Sequence, residues 1–444
     1  MKQIVTALPV PESTQLLEAL RTHEPAATNA QLPTVWDRAE GVHVFDPYGN
    51  VWLDWTSGVL AANAGHAPAS VVAAVCDCAK RPLLHAYSFP SRLRAEFVTE
   101  LCSLTGFEHV IALTAGAETI EAAIKLARCR RRGTVVSFDG AFHGRTMGAQ
   151  AVGGIARQKC WTAEEQGAFV QVPFPSDESP LDIGEFEALL AQRGVRPTDT
   201  AAVVLEPYQA WTLRSADPSF VRALRAWCDD AGALLVLDEI QSGFGRTGVL
   251  FAYERFDIRP DIVCCGKGIS SGLPLSAMLF DGDLAAGVSH GDLSSTHGGN
   301  PLTLAAGLAT LRLFHDGTIV AHAAAVGEEL QAAVRHLVRR ASNVVASPQG
   351  SGLIAGFTVI HKGEPNAARA QLLVEECWRQ GLLMFTPVGP ASALIKIAPP
   401  LIITREELQD GLQILATAVQ RISEVMSDES RQPGRQISEV MSDE

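Results

Sequence analysis

The chain has 444 residues, 47% of them hydrophobic and 19% charged, with a formal net charge of −13. That composition is globular, long enough for more than one domain, and too acidic for nonspecific binding to nucleic acid or an anionic membrane. The nine cysteines match no metal-ligand spacing, so no metal is expected, and reduced thiols in a cytoplasmic protein are. The N-terminus, MKQIVTALPVPESTQ, has no signal-peptide core, and no segment reaches transmembrane length.

In chain order, VHVFDPYGNVWLDWTSG (42–58) reads as two short strands around a Tyr-Gly-Asn turn. From about 115 to 310 short apolar runs alternate with amphipathic helices. TVVSF (134–138), AAVVLEP (201–207), ALLVLDE (233–239) and DIVCCG (261–266) have the continuous hydrophobicity of buried parallel strands. Ile120, Ala123, Ile124 and Ala127 share one helical face; so, nearly, do Phe220, Leu224 and Trp227, with Gly232 as the stop. Such alternation predicts an α/β fold, a mostly parallel sheet with helices on both faces. Beyond 320, GSGLIAGFTVI, a helix near 367–380, LIKIAPPL and a last helix from about 404 predict a smaller α+β domain. The expected organisation is an N-terminal segment (1–65) packed with the small domain, a large α/β domain (66–315), the small domain (316–426) and a disordered tail (427–444). ISEVMSDE occurs twice, at 422–429 and 437–444, and is read as a duplication without function.

Several motifs invite a chemical reading. GFGRTG (243–248) satisfies G-x-G-x-x-G but opens no clear helix, which excludes a dinucleotide fingerprint. CCGKG lacks the remainder of a phosphate loop. Gly116 and Ala117, by contrast, begin a convincing helix, where free N–H groups favour an anion such as phosphate. Asp238 ends a buried strand, where a carboxylate needs a cationic or hydrogen-bonding partner. Lys267 directly follows the next strand, and Phe142 and His143 follow another. A phosphate seat, a carboxylate for a ring nitrogen and an amine for an aldehyde together suit pyridoxal 5'-phosphate, with Phe142 to stack on its ring.

Taken together, AGAETIEAAIKLAR, GAFHGRT, VVLEPYQ, LLVLDEIQSGFGRTG, CGKGISSGLPLSA and STHGGNPL make the chain resemble the class III (ω-amino acid type) pyridoxal-phosphate aminotransferases of fold type I. The resemblance runs from about FDPYGNVWLDWTSG to IKIAPPLIIT. It implies a large domain with a mixed, mostly parallel sheet flanked by helices. It also implies Lys267 as the Schiff-base lysine and proton shuttle, Asp238 at the ring nitrogen and Gln241 at the phenolic oxygen. Ile240 and Phe142 take the two ring faces, Gly116 and Ala117 the phosphate. Thr296 is implied to reach the cofactor phosphate of a neighbouring subunit, and hence an obligate homodimer.

Two departures bear on substrate. Where many family members carry a carboxylate-gripping arginine, this chain has Lys396, which lacks an arginine's bidentate fork. Glu206 is expected to pair with it, weakly, as a swinging gate; Arg145 matches a second, intact carboxylate-binding position. After EPYQ the chain continues AWTLRSAD rather than with small residues, so Trp211 could meet a bulky ring. Tyr87 and Trp55 lie in segments that line the family's substrate entrance.

The expected activity is ping-pong transfer of an amino group, with glutamate as donor, to an aldehyde or ketone remote from a carboxylate, an amino sugar or other specialised amine being preferred. The alternatives are a 4-aminobutyrate, ω-amino acid or simple amine transaminase, an epimerase, racemase or aminomutase on the same scaffold, and a catalytically dead binding protein.

Overall fold

The computed structural model describes residues 3–28, 31–159, 161 and 168–431. Three N-terminal strands, β1 (Arg38–Glu40), β2 (His43–Phe45) and β3 (Val51–Asp54), form an antiparallel meander. The large sheet comprises β4 (His109–Leu113), β5 (Thr134–Phe138), β6 (Phe169–Val172), β7 (Thr200–Leu205), β8 (Leu234–Asp238), β9 (Ile262–Cys265) and β10 (Ser276–Phe280). Its strand order is β4-β10-β9-β8-β7-β5-β6, and β10 alone runs antiparallel to both its neighbours. Toward the C-terminus, β11 (Val345–Ser351), β12 (Ile354–His361) and β13 (Glu364–Pro365) pair in sequence, β14 (Leu382–Leu383) joins β3, and β15 (Leu394–Ile397) lies beside β12.

The central strands are largely apolar because both faces of the sheet are covered. Leu235, Leu237, Val263 and Cys265 face the larger core; their neighbours Val236, Ile262 and Cys264 face the second. That second core is closed by the helix Gly116–Arg130, which contributes Ile120, Ala123, Ile124 and Ala127, the residues its helical spacing singles out. The helix Pro218–Ala231 ends at Gly232, whose φ of 65° suits glycine.

The final helix, Arg405–Arg431, runs through the first copy of the octapeptide, so the chain is helical where an irregular tail was expected from 427. Its pattern continues without a stop residue. The second copy lies outside the described residues. GFGRTG forms turns and opens no α-helix; a short 3-10 helix, Ala252–Phe256, follows after three residues. Its Arg246 is wholly buried and donates to Leu353 O, Pro399 O, Ser57 Oγ and Asn63 Oδ1. The motif thus fastens the N-terminal segment and the C-terminal strands to the large sheet. Among the described residues no helix is long and apolar enough to cross a membrane, and no group of three or more His, Cys, Asp or Glu could hold a metal.

Candidate active site

Four adjacent parallel strands, in the order β9-β8-β7-β5, deliver their carboxyl ends to one edge of the sheet, where open α/β sheets place their ligands. Lys267 follows β9, Asp238 ends β8, Glu206 follows β7, and the loop after β5 carries Phe142 and His143. With Gly116, Ala117, Gly144, Ala210, Ile240 and Gln241 they line a cavity of about 160 Å3.

The helix Gly116–Arg130 starts without a side-chain cap, which leaves its first N–H groups free. Its start is stitched to β10 by Ser276, whose Oγ lies 2.6 Å from Thr119 Oγ1 and donates to Ala115 O at 2.9 Å. Gly116 must lack a side chain, because a Cβ there would lie 2.8 Å from Ile240 Cδ1. Ala117 offers its backbone N–H and no hydroxyl.

Asp238 is buried at the cavity floor; its Oδ2 lies 2.7 Å from His143 Nδ1, and its Oδ1 accepts from Ile240 N at 3.0 Å. Burial opposes a charge on His143, but the hydrogen bond and negative charge of Asp238, with Glu206 beyond, raise its pKa. Lys267 opens a single 3-10 turn with a φ of 46°, left-handed backbone held by its surroundings. Burial lowers its pKa, against the pull of Asp238 and Glu206. A greater fraction of neutral amine is what attack on an aldehyde requires.

Glu206 does not pair with Lys396. Its two oxygens accept from Phe142 N and Ala210 N, each at 2.9 Å, and burial lifts its pKa to about 7. Backbone donors are fixed by the fold and need no charged partner, so the loops after β5 and β7 close over this carboxyl instead. Lys396 stands on β15, 6% exposed, and donates to Gln241 Oε1 at 2.6 Å. Burial, then the nearby charge of Lys267, brings its pKa to about 7.

The other sequence-derived candidates divide. Arg145 is exposed beside the site, its guanidinium carbon 5.5 Å from the Phe142 ring centre. Trp211 does not line the cavity, although its neighbour Ala210 does; Arg157 lies over its ring at 4.7 Å. Tyr87 also lies outside the lining and meets Ser294 Oγ at 2.9 Å, and Thr296 is an exposed loop residue. Trp55 is wholly buried, and a Cβ on Gly411 of the last helix would lie 2.2 Å from its Cζ2. It is a core residue rather than an entrance residue, because the last helix packs directly over its indole. Sequence reasoning missed Ala210 and Gly144 in the lining, the His143–Asp238 contact and the Lys396–Gln241 contact. The last two join residues 95 and 155 positions apart, beyond the reach of local spacing.

The donor set fits pyridoxal 5'-phosphate. An amine with lowered pKa, a floor carboxylate and an uncapped helix start share one small cavity. Two buried polar atoms of lining residues, His143 Nε2 and Gln241 Nε2, have no hydrogen-bond partner within the described protein. Sheet and site together define a fold type I pyridoxal-phosphate enzyme. The family model described as Aminotransferase class-III matches residues 25–419, and the chain belongs to that family of pyridoxal-phosphate-dependent enzymes. It is 33% identical to an acetylornithine aminotransferase of Brucella melitensis biotype 1 over 398 residues, 87% of this chain and 93% of that protein. An ornithine aminotransferase of Emericella nidulans is 31% identical, with 87% of this chain and 86% of that one covered. The ornithine aminotransferase structure from Toxoplasma gondii superposes with a TM-score of 0.83 over 95% of this chain and 97% of its own, at 24% identity.

Proposed function

We propose that this aminotransferase moves an amino group from glutamate to an aldehyde or ketone whose carbonyl carbon is remote from any carboxylate, a keto sugar among them. The observation that carries the reading is the engagement of Lys396 with Gln241, together with the backbone hold on Glu206. As arranged, neither group selects an acceptor with a carboxylate beside its carbonyl carbon. Arg145, exposed at the rim, is left to hold a distant carboxylate when a substrate brings one.

Bound pyridoxal 5'-phosphate supplies an electron sink through which nitrogen passes between two carbon skeletons. Lys267 would hold the cofactor through its amine, and its Nζ would take and return the substrate's proton. Asp238, oriented by His143, would take the ring nitrogen; Gly116 and Ala117 N–H groups would take the phosphate; Phe142 and Ile240 would flank the ring; and Gln241 would donate to the phenolic oxygen. A homodimer completes the site through Thr296. Supporting this is the exposed apolar stretch Leu83, Leu84, Tyr87 and Phe89, the last 73% exposed. It is tied to the Thr296 loop by Asn300 Nδ2 donating to Leu84 O at 2.8 Å. A reducing cytoplasm suits the described cysteines, all of which are free.

A second reading, an ω-amino acid transaminase, is favoured by the relatives named for acetylornithine and ornithine. A screen of acceptors with glutamate and of amino donors with 2-oxoglutarate, followed by the absorbance change of the bound cofactor, separates the two. Faster turnover of keto sugars supports the first; turnover of 4-aminobutyrate, ornithine or acetylornithine at least as fast as any sugar refutes it. Sedimentation as a monomer at assay concentration would remove the dimer.

A further inference from the structure

Lys396 occupies a position from which it could serve the cofactor rather than the substrate. It projects from β15, which pairs with β12 through Gly356, and its ammonium meets the side-chain oxygen of Gln241 at 2.6 Å. A glutamine amide has one accepting and one donating end. With Oε1 taken by Lys396, Nε2 is the end left over, and that atom is buried without a partner on a residue that lines the cavity. Phe385, whose ring centre lies 5.0 Å from Lys396 Nζ, borders the amine on another side. The charged groups closest in influence are Lys267, Glu206 and Arg246, and none accepts a hydrogen bond from it.

We propose that Lys396 is a positioning residue: by holding Gln241 Oε1 it fixes the orientation of the amide, so that Gln241 Nε2–H is the group presented to the phenolic oxygen of the cofactor. Without Lys396 the amide is free to turn over and present its oxygen, which would repel that phenolic oxygen instead. This rests on the placement of Gln241 proposed above. A donor at the phenolic oxygen favours the more negative form of the bound cofactor. It therefore holds down the pH at which the Lys267–cofactor linkage loses its proton, a midpoint read from visible absorbance without turnover.

The test uses holoenzyme carrying Lys396→Met, Lys396→Arg, Gln241→Leu and the Lys396→Met/Gln241→Leu double change. Gln241→Leu should raise the midpoint by about one pH unit, the tenfold effect of one hydrogen bond of ordinary strength. Lys396→Met should raise it similarly, Lys396→Arg should leave it near wild type by still donating to Oε1, and the double variant should shift no further than Gln241→Leu. An unmoved midpoint in Gln241→Leu would overturn the placement of Gln241 and the proposal with it. A shift in Gln241→Leu but none in Lys396→Met, accompanied by a raised KM for carboxylate-bearing substrates alone, would overturn the positioning role and leave that placement standing. Equal effects of Lys396→Met with and without Gln241 would also overturn it, since the lysine would then act by its charge. Should Lys396→Met fail to fold, Lys396→Gln, an uncharged donor to Oε1, is measured instead: a midpoint near wild type supports the hydrogen-bond account, and one displaced as far as in Gln241→Leu refutes it.

Discussion

Replacing Glu206 with Gln should change the stability of the cofactor-free enzyme by an amount that depends on pH. The carboxyl accepts backbone N–H groups from Phe142 and Ala210, one on each oxygen. A glutamine keeps one acceptor and turns an NH2 toward the other N–H, which costs about 1–3 kcal/mol for a buried donor left unmatched. Against this stands the pKa of Glu206, lifted by burial from 4.5 to about 7. The difference, 7 − 4.5, is 2.5 units, or roughly 3 kcal/mol at 1.36 kcal/mol per unit. An acid whose folded pKa is raised penalises folding when ionised. The penalty is absent well below pH 4.5, grows as the pH climbs to about 7, and is complete above it. The amide carries no charge and escapes it. Glu206→Gln should therefore be the less stable protein near about pH 5, with the gap closing or reversing by about pH 8. Urea midpoints of both proteins across that range measure it. A gap that stays constant would refute the argument, since Glu206 would then ionise no differently in the folded and unfolded chains.

Three further outcomes follow from the same geometry. Lys267→Ala should bind pyridoxal 5'-phosphate without the visible band that borohydride bleaches in wild type, and transaminate undetectably; a band that survives the substitution would assign the linkage to another amine. Trp55→Ala should lose about 3–5 kcal/mol, and Gly411→Ala about 1–3 kcal/mol through overpacking against the same indole; Trp55→Phe should leave KM unchanged, whereas an altered KM would return Trp55 to the substrate path. Arg145→Ala should raise KM for acceptors that carry a distant carboxylate and leave uncharged acceptors unaffected, which steady-state kinetics on matched pairs would decide.

The parts of the fold legible in the sequence are those whose burial is two-sided. β5, β7, β8 and β9 are central strands with helices over both faces, so each reads as an unbroken apolar run bounded by polar residues. β4, β6 and β10 were not distinguished. β6 has the edge pattern of FVQV, half-buried at alternate positions, and β4 and β10 are five-residue runs close to helices of similar hydrophobicity. Lys267, Asp238 and Gly116 were legible because each stands at a strand or helix end, where a one-dimensional pattern changes. Partners were not. Glu206 and Lys396 lie 190 residues apart (396 − 206), and nothing local reveals that backbone N–H groups already satisfy the one while Gln241 engages the other. Trp55 failed for a related reason: a tryptophan beside a strand looks the same in sequence whether a substrate or Gly411 covers it.

The opposed pKa shifts around the cavity have a common origin. Burial raises the pKa of Glu206 and lowers those of Lys267 and Lys396, so an acid and two bases all move toward their neutral forms. Only His143 is driven the other way, because it alone donates directly to a carboxylate, Asp238. The charge of Lys267 also disfavours charge on Lys396, as that lysine's second-largest influence. An arginine at 396 would remain charged at any working pH. A lysine there can give up its proton and still donate an N–H to Gln241. On the proposal above, a lysine at 396 keeps a donor that orients Gln241 while lacking an arginine's bidentate grip on a carboxylate. The substrate consequence and the cofactor consequence are two effects of one side chain.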